Sequence, residues 1–281
     1  MNVVSNMAVF SSHRQVFGLP VCDLDWSEAF NFVSLLADMP AGQTSIAFLN
    51  AHNATVMLKD PAYRQALGRN LVLPDGIGVD LASFATCGKI FPANLNGTDF
   101  VPALLTYMTK PKRVGLLGAR PETLAKARKN FEEHAPWHEF IAVHDGFFAE
   151  EDSDRIVAEI ARQELDILLI AMGTPKQEKW ADAHIRPEHA RLVITVGALF
   201  DFVAGEVPRA PRLLRQARME WLYRVMQEPR RLSGRYFLGG PIFVGHVISH
   251  AVGYWAAALA RSLLPGRKPQ HRPLERGSDG L

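Results

Sequence analysis

The sequence predicts an α/β fold, with a mostly parallel sheet and helices on both faces in a Rossmann-like arrangement. Between residues 26 and 199, short apolar runs rich in branched side chains alternate with amphipathic stretches, as strands and crossover helices do. The runs are apolar almost throughout, which is typical of strands that are buried on both faces. The predicted strands cover residues 44–50, 71–73, 113–117, 140–144, 166–171 and 191–196.

Two of the intervening helices are marked by residues at their starts. Asp25 is followed three residues later by Glu28, a capping-box pattern, and apolar side chains such as Val33 then recur at helical spacing. Pro121 is suited to the first turn of a second helix. The inward stripe of that helix is predicted to be Leu124, Ala127 and Phe131.

Composition bounds the domain organisation. The 281 residues are 48% hydrophobic and 21% charged, which predicts a folded protein with a sizeable core. We expect an α/β domain with the catalytic site in residues 1–208 and an arginine-rich helical appendage with an apolar, membrane-associating segment in residues 209–264. Residues 265–281 are rich in proline, arginine and glycine and are predicted to be a disordered tail.

Several kinds of protein are disfavoured by charge and cysteine usage. A net charge of +2 provides no overall field for nucleic-acid binding. Residues 1–16 lack the pattern of a secretory signal, which predicts a cytoplasmic protein. Cys22 and Cys87 have neither metal-site nor disulfide spacing, so we expect both to be buried, reduced thiols.

Polar residues and glycines at the strand ends are the first candidates for a site, because ligands bind at the carboxyl ends of strands in open α/β sheets. One such residue would signify only a turn, but five predicted strands are followed by them. The candidates are Asn50, His52, Asp75, Gly76, Gly118, the segment from Gly173 through Pro175 to Gln177 and Glu178, and Gly197.

Two of these candidates each allow a chemical and a structural interpretation. Asp75 is either a general base at the sheet edge or the aspartate of an ordinary Asp-Gly turn, and the motif alone does not separate the two. The Gly173–Glu178 segment precedes a helix, whose free N–H groups could receive a phosphate. Helix capping by the same polar residues is the simpler interpretation of that segment.

No metal or other cofactor is expected. Asp23 and Asp25 have the two-aspartate spacing that many sugar transferases use to hold a divalent cation, but Asp25 is already explained as a helix cap and no further carboxylates cluster with the pair. The ten histidines show no ligand spacing with cysteine or carboxylate.

Short motifs along the chain together resemble the WecG/TagA/CpsF family of glycosyltransferases. Their order and spacing match from about residue 21 to residue 236, and EWLYR at 220–224 with EPRR at 228–231 is similar to the family's C-terminal appendage. The motifs in the α/β part are NAH at 50–52, LPDG at 73–76, NGTD at 96–99, GTPKQE at 173–178, GALFD at 197–201 and RAP at 209–211.

The resemblance implies an inverting, metal-independent enzyme that moves a sugar from a UDP-sugar to a polyprenyl-diphosphate-linked sugar in surface polysaccharide synthesis. It gives Asp75 the role of general base, makes Asn50 and Gln177 substrate contacts, and directs Arg224, Arg231 and Arg235 towards the acceptor diphosphate. At Phe48 the chain departs from the branch that transfers ManNAc, which has threonine there, so ManNAc, ManNAcA and glucose all remain candidate sugars. The wider substrate-binding set is His52, Gly76, Asn96, Asp99, Gly118, Gly173, Pro175, Glu178, Gly197, Asp201 and Arg209.

The C-terminal part predicts contact with the cytoplasmic leaflet of the inner membrane. Residues 209–235 interleave arginines with leucine, tryptophan and tyrosine, the mixture found in helices on anionic bilayers. Residues 236–260 contain no charged side chain and are long enough to span, but their glycines, Pro241 and two basic flanks favour a broken, hairpin-like monotopic segment. A transmembrane span ranks second, and a soluble core helix or oligomer contact ranks third.

Two rival functions remain open at the level of sequence. Strand-end glycines serve many ligands, so another nucleotide-dependent α/β enzyme is one alternative. The other is a non-catalytic, membrane-associated scaffold that binds a nucleotide-sugar. The combination of Asp75, Asn50 and Gln177 favours the transferase, because a scaffold has no need of a placed base.

Overall fold

The central feature of the protein is a six-stranded sheet in which every neighbouring pair of strands is parallel. The structure is a computed structural model that describes residues 12–211, 213–214, 218–227, 229–230 and 239–263. All six predicted strands are confirmed, with ends shifted by about one residue. In the order β4-β3-β8-β7-β5-β6, the strands are β3 (Thr44–Leu49), β4 (Leu71–Pro74), β5 (Arg113–Gly118), β6 (Glu139–His144), β7 (Leu165–Ala171) and β8 (Ala190–Thr195).

Side chains alternate between two apolar layers, as the pleat of a strand requires. In β3, Ile46 and Phe48 enter one layer while Ala47 and Leu49 enter the other, so both faces of the sheet must be covered. One face carries α1 (Trp26–Asp38), α5 (Gly97–Tyr107), α6 (Pro121–His134) and α9 (Leu199–Val203). The other face carries α2 (Ala51–Lys59), α3 (Pro61–Leu67), α4 (Ile77–Cys87), α7 (Ser153–Arg162) and α8 (Lys176–His184). The predicted fold class is confirmed.

The helix starts are also confirmed. Asp25 accepts a hydrogen bond from the Glu28 backbone N–H, and Glu28 accepts one from the Asp25 backbone N–H, both at 2.8 Å. Asp23 forms an ion pair with Arg14 at 2.8 Å. Helix α6 begins at Pro121 and buries its predicted stripe of Leu124, Ala127 and Phe131.

An antiparallel hairpin of β1 (His13–Val16) and β2 (Leu19–Cys22) precedes the sheet domain and was not among the predicted strands. Its strands have four residues each, and β1 carries exposed polar side chains, so neither forms a long apolar run. Cys22 is buried as expected, whereas Cys87 is exposed. The prediction for Cys87 is wrong because this residue is the last one of α4 and lies past the buried part of the helix.

The C-terminal segment contains α10 (Glu220–Gln227) and α11 (Gly239–Leu263). The expected break in the apolar segment is wrong, since α11 is one continuous helix over its described length. Pro241 is its third residue, and a helix tolerates proline in its first turn, where N–H groups have no partner within the helix. Arg231, Arg235, residues 236–238 and the predicted tail lie outside the described residues.

Helix α11 lies against α4 and α2 and buries Phe243 and Val247 in the layer that those helices form. Phe243 meets the ring of Phe17 edge-on, with centroids 5.8 Å apart. In the described part of the chain, Gly239–Ala260 is the one helix long and apolar enough to cross a membrane, with a mean hydropathy of 1.4. Only 11% of that stretch is buried in the described structure.

Candidate active site

The pair of Asn50 and Asp75 forms the centre of the site. Strands β3 and β4 are neighbours with Leu49 opposite Pro74, so the residue after each strand reaches the same point on the sheet edge. The Asn50 side-chain oxygen caps α2 by accepting from the Asn53 N–H at 3.0 Å, and its amide nitrogen donates to the Asp75 carboxylate at 3.1 Å. The Asp75 carboxylate is thereby held in a fixed direction.

The turn after Asp75 needs a glycine. Gly76 has φ of +86°, a conformation that L side chains rarely adopt, and a Cβ there would meet nothing within 4 Å. The Gly76 N–H donates to the side chain of Asn94 at 2.8 Å. Sequence reasoning missed Asn94. Its signal was weak, a second asparagine two residues before Asn96.

A cavity of about 450 Å³ opens beside Asp75. Its lining combines the polar side chains of Asn50, His52, Asp75, Asn94 and Asn96 with apolar ones. The C-terminal segment closes one side, because α10 and α11 contribute wall residues as well as the strand ends. The remaining walls are Ala51, Gly76, Ile77, Gly78, Leu81, Thr98, Phe202, Arg218, Glu220, Trp221, Arg224, Gly240, Phe243 and Val244.

Two arginines bring positive charge to this cavity. The Arg224 guanidinium is stacked on the ring of Phe202, with Cζ 5.1 Å from the centroid, and its buried Nε has no hydrogen-bond partner among the described residues. Arg218 forms an ion pair with Asp80 of α4, which is buried, and so fastens the segment before α10 to the α/β domain. A cation that is desolvated and not fully paired favours an anionic ligand.

The strand ends of β7 and β8 form a second group, and this group is largely closed. Gln177 accepts hydrogen bonds from the Gly173 N–H at 3.1 Å and the Gly197 N–H at 3.2 Å, so it ties the two strand-end loops together. Gln177 and Glu178 are each only 2% exposed. They are not walls of the Asp75 cavity, and their predicted contact with substrate stays a prediction.

Glu178 is buried with an incomplete set of partners. One carboxyl oxygen accepts from Thr174 Oγ1 at 2.9 Å and from Gln177 Nε2 at 2.8 Å, while the other has no partner among the described residues. Burial raises the pKa of Glu178 despite these hydrogen bonds. Burial also raises the pKa of Tyr63, and the nearby charge of Glu178 adds to that rise.

The strand-end glycines differ in what surrounds them. A Cβ on Gly118 would lie 2.4 Å from the Ala171 carbonyl oxygen, so the close contact between β5 and β7 explains that glycine without a ligand. Gly173 and Gly197 have positive φ and open space at the Cβ position. Pro175 occupies the N-cap position of α8 and makes no side-chain cap hydrogen bond. The space on the Cα side of these two glycines is open, while both of their N–H groups donate to Gln177 Oε1.

The NGTD motif at the start of α5 lies between two cavities and is joined to the RAP motif by an ion pair. Asn96 caps α5 and bonds to Asp99 at 3.0 Å, and Asp99 pairs with Arg209 at 2.6 Å. Asp99 and Arg209 line a separate cavity of about 490 Å³ between α5, α6 and α9. Asp201 is in α9 and is a wall residue of neither cavity. The structure thus unites Asn50, His52, Asp75, Gly76, Asn96 and Arg224, and places Asp99, Asp201 and Arg209 elsewhere.

The described residues contain no group of three or more His, Cys, Asp or Glu side chains that could hold a metal ion. Asp23 and Asp25 are engaged by Arg14 and by the α1 N-terminus respectively. Metal independence stays a prediction, since it concerns the reaction rather than the fold.

Comparison with known proteins assigns the family. The model of the glycosyl transferase WecG/TagA/CpsF family matches residues 14–256. The chain is also similar to the N-acetylglucosaminyldiphosphoundecaprenol N-acetyl-beta-D-mannosaminyltransferase of Bacillus spizizenii, with 30% identity over 240 residues that cover 82% of this chain and 91% of the relative. The match spans both the Asn50–Asp75 edge and the two C-terminal helices that close its cavity. The chain therefore belongs to the WecG/TagA/CpsF family and is a glycosyltransferase.

Proposed function

We propose that the enzyme transfers a sugar, with inversion and without a metal, from a UDP-sugar to a polyprenyl-diphosphate-linked sugar. The observation that carries the proposal is the Asn50–Asp75 pair, with 3.1 Å between amide nitrogen and carboxylate, in a cavity whose lining combines polar side chains, arginine and apolar side chains. The acceptor class follows from the name of the relative, which specifies a GlcNAc-diphosphoundecaprenol substrate.

Asp75 is proposed as the general base of a single displacement. The acceptor hydroxyl oxygen forms a bond to the anomeric carbon, the bond from that carbon to the UDP phosphate oxygen breaks, and the hydroxyl proton passes to the Asp75 carboxylate. The leaving UDP keeps the electron pair of the broken bond. Asn50 acts as a positioning residue in this scheme, because its amide holds the carboxylate in the direction from which it receives the proton.

Charge on phosphate is proposed to be stabilised by arginine. Arg224 lines the cavity with a buried Nε that has no hydrogen-bond partner among the described residues, and guanidinium groups bind phosphate through charge-assisted hydrogen bonds. Arg231 and Arg235 remain proposed partners of the acceptor diphosphate. The open space at Gly173 and Gly197 is proposed to admit part of the donor.

The donor sugar is left as a choice among ManNAc, ManNAcA and glucose. The name of the relative favours ManNAc. Phe48, which marks the departure from the ManNAc branch, is buried against Phe100 and Gly97 rather than in the cavity. A Cβ on Gly97 would lie 2.9 Å from the Phe48 ring, so any influence of Phe48 on the donor would act through the start of α5.

A donor screen tests the function. The purified chain is given UDP-ManNAc, UDP-ManNAcA or UDP-glucose with a short-chain polyprenyl-diphosphate GlcNAc acceptor, and UDP release and the lipid product are both measured with and without a strong chelator. We expect one donor to give product at a rate that the chelator does not change. Binding of UDP-sugar without product would favour the scaffold, and activity restored only by manganese or magnesium would contradict metal independence. Localisation at the cytoplasmic face of the inner membrane belongs to the same proposal.

A further inference from the structure

The outer side of α4 exposes a row of large apolar side chains. Ile77, Leu81 and Phe84 are 47%, 43% and 57% exposed, and their spacing of four and three residues places them on one face of the helix. The opposite side of α4 is buried in the core through Val79 and Ala82. A helix of a soluble domain normally keeps its outer side polar, so this row needs an explanation.

Helix α11 adds a second exposed apolar row beside the first. Val244 lines the same cavity as Ile77 and Leu81, and exposed apolar residues then follow it at intervals of four along α11. Farther along the two helices, the Trp255 indole N–H donates to the Ala85 carbonyl of α4 at 3.0 Å. We call the combined feature the apolar surface. It consists of Ile77, Leu81, Phe84, Val244, Ile248 and Val252.

The contacts between the helices hold α11 along the domain. Gly78 allows this approach, since a Cβ there would lie 2.7 Å from Ala51 Cβ and 3.4 Å from the Phe243 ring. The contacts at Phe243 and Trp255 are 12 residues apart, roughly 18 Å along the helix. A perpendicular span would have to break them, whereas a helix lying in the membrane plane keeps them.

We propose that the apolar surface is seated in the headgroup and acyl boundary of an anionic bilayer, so that α4 of the α/β domain docks to lipid together with α11. Because α4 begins two residues after Asp75, this docking places the mouth of the active-site cavity at the leaflet. A lipid-linked acceptor then enters past Ile77, Leu81 and Val244 with its chain still among the lipids. That last step rests on the proposed function, whereas the docking itself does not.

A bilayer fits the surroundings of this surface better than a second copy of the chain. Tyr254 and Trp255 are partly exposed beside it, and such side chains prefer the membrane interface. Arg224 lines the cavity next to it and supplies a positive charge that suits an anionic headgroup layer. A second copy on the same surface would close the cavity mouth against the acceptor.

A fluorophore on Cys87 tests the proposal directly. Cys87 is exposed and lies three residues after Phe84, while Cys22 is buried, so an environment-sensitive thiol probe will label α4. On addition of phosphatidylglycerol/phosphatidylethanolamine vesicles we expect a blue shift and protection from an aqueous quencher. The control carries the probe at Leu35→Cys in a Cys87→Ser background. Leu35 is 65% exposed on α1, at the opposite face of the sheet, and its probe should not shift.

A matched pair of substitutions gives the second readout. Phe84→Gln removes apolar area from the proposed interface and should weaken vesicle partition by about fivefold to tenfold, whereas Leu35→Gln should leave it unchanged. Phe84 is not a wall of the cavity, so kcat/KM with a water-soluble short-chain acceptor in the absence of vesicles should be the same for Phe84→Gln and the wild type.

Several outcomes would overturn the proposal. An unshifted Cys87 probe in vesicle-bound protein would show that α11 docks without α4. If Phe84→Gln and the wild type partition equally to vesicles, and the variant lacks an oligomer that the wild type forms in sedimentation velocity, the surface is a self-association interface. Neither vesicle measurement requires transfer of a sugar, so a failure of the proposed function would appear only in the donor screen. The Cys87 result stands even if Phe84→Gln does not fold.

Discussion

Two stretches of the same sheet edge look alike in sequence and differ in structure. At the ends of β3 and β4, Asn50 and Asp75 face a cavity of about 450 Å³. At the ends of β7 and β8, Gln177 and Glu178 point inward and bond to protein groups. A polar residue after a buried strand therefore has two uses. It either faces a ligand or replaces one as the partner of the strand-end backbone.

The difference arises from what covers each stretch. Helices α10 and α11 extend over the β3 and β4 ends but leave space beneath them, so the polar groups there remain accessible. Gln177 spans the gap between the Gly173 and Gly197 loops with its own side-chain oxygen. We call the ends of β3 and β4 the open stretch and the ends of β7 and β8 the closed stretch. We infer that the open stretch performs the chemistry and that the closed stretch keeps two glycine loops in a fixed geometry.

The largest effect should come from the open stretch. Asp75→Asn keeps the size of the side chain but removes the proton acceptor, so turnover should fall by about a hundredfold or more while UDP binding persists. Product formation is measured beside UDP affinity by calorimetry. The control is Asp25→Asn, which retains a helix cap and should leave turnover unchanged. Near-normal turnover by Asp75→Asn would assign the chemistry to another residue.

Substitution of Arg224 tests whether α10, which covers the open stretch, contacts the ligand. Arg224→Ala should lower kcat/KM by roughly tenfold to a hundredfold, since a charge-assisted hydrogen bond is typically worth about 1.5–3 kcal/mol. Arg224→Lys keeps the charge but loses the guanidinium stacked on Phe202, and should recover only part of the activity. Full activity of the alanine variant would show that α10 closes the cavity without contacting substrate.

Gln177 tests the closed stretch. Gln177→Leu leaves the Gly173 and Gly197 N–H groups without their acceptor, so the free energy of unfolding should fall by about 1–2 kcal/mol. If Gln177 acts by positioning loops, kcat and stability should fall together. A large loss of donor binding with no loss of stability would make Gln177 a direct substrate contact.

Much of this fold could be predicted because its signals are local. The six strands were readable because each is a continuous apolar run, and the Asp25 and Pro121 helix starts depend on residues within one turn. The presence of Asn50 and Asp75 at one edge of the sheet followed from parallel strands, whose carboxyl ends share an edge, whereas their direct contact depends on the strand order. The sheet edge could also be recognised as a candidate site, because polar residues or glycines follow so many of its strands.

The remaining features depend on contacts between distant segments. Asn94 reaches Gly76 from 18 residues away, and the cavity is completed by α11, which is more than 150 residues beyond Asp75. The exposure of Cys87 was missed because α4 buries polar residues such as Asp80 and Ser83 while it exposes large apolar ones such as Phe84, so hydrophobicity does not indicate which side is inside. The close approach of the neighbouring strand at Gly118 likewise depends on a distant segment, and the predicted contact of Gly118 with substrate stays a prediction.

The smallest change in activity is expected at Glu178 in the closed stretch, and the test there is the protonation state of its carboxyl group. Burial raises the folded-state pKa of Glu178, whereas the unfolded chain ionises near the ordinary value of 4.5. As pH rises above about 4.5, the unfolded state loses its proton first, so the wild-type free energy of unfolding decreases until the folded-state pKa is passed. Glu178→Gln cannot ionise, and its side-chain oxygen still accepts from Thr174 and Gln177.

The free energy of unfolding of Glu178→Gln, measured in urea, should therefore equal that of the wild type at pH 5 and exceed it at pH 8. Turnover should be close to normal at both pH values. Tyr63→Phe is the control, because it removes the neighbouring buried hydroxyl but leaves the Glu178 carboxyl to titrate, so it should keep the wild-type pH dependence. If Glu178→Gln instead abolishes transfer without changing the pH dependence of stability, the carboxylate is ionised in the folded protein. The closed stretch of the sheet edge would then contribute a charge to the active site.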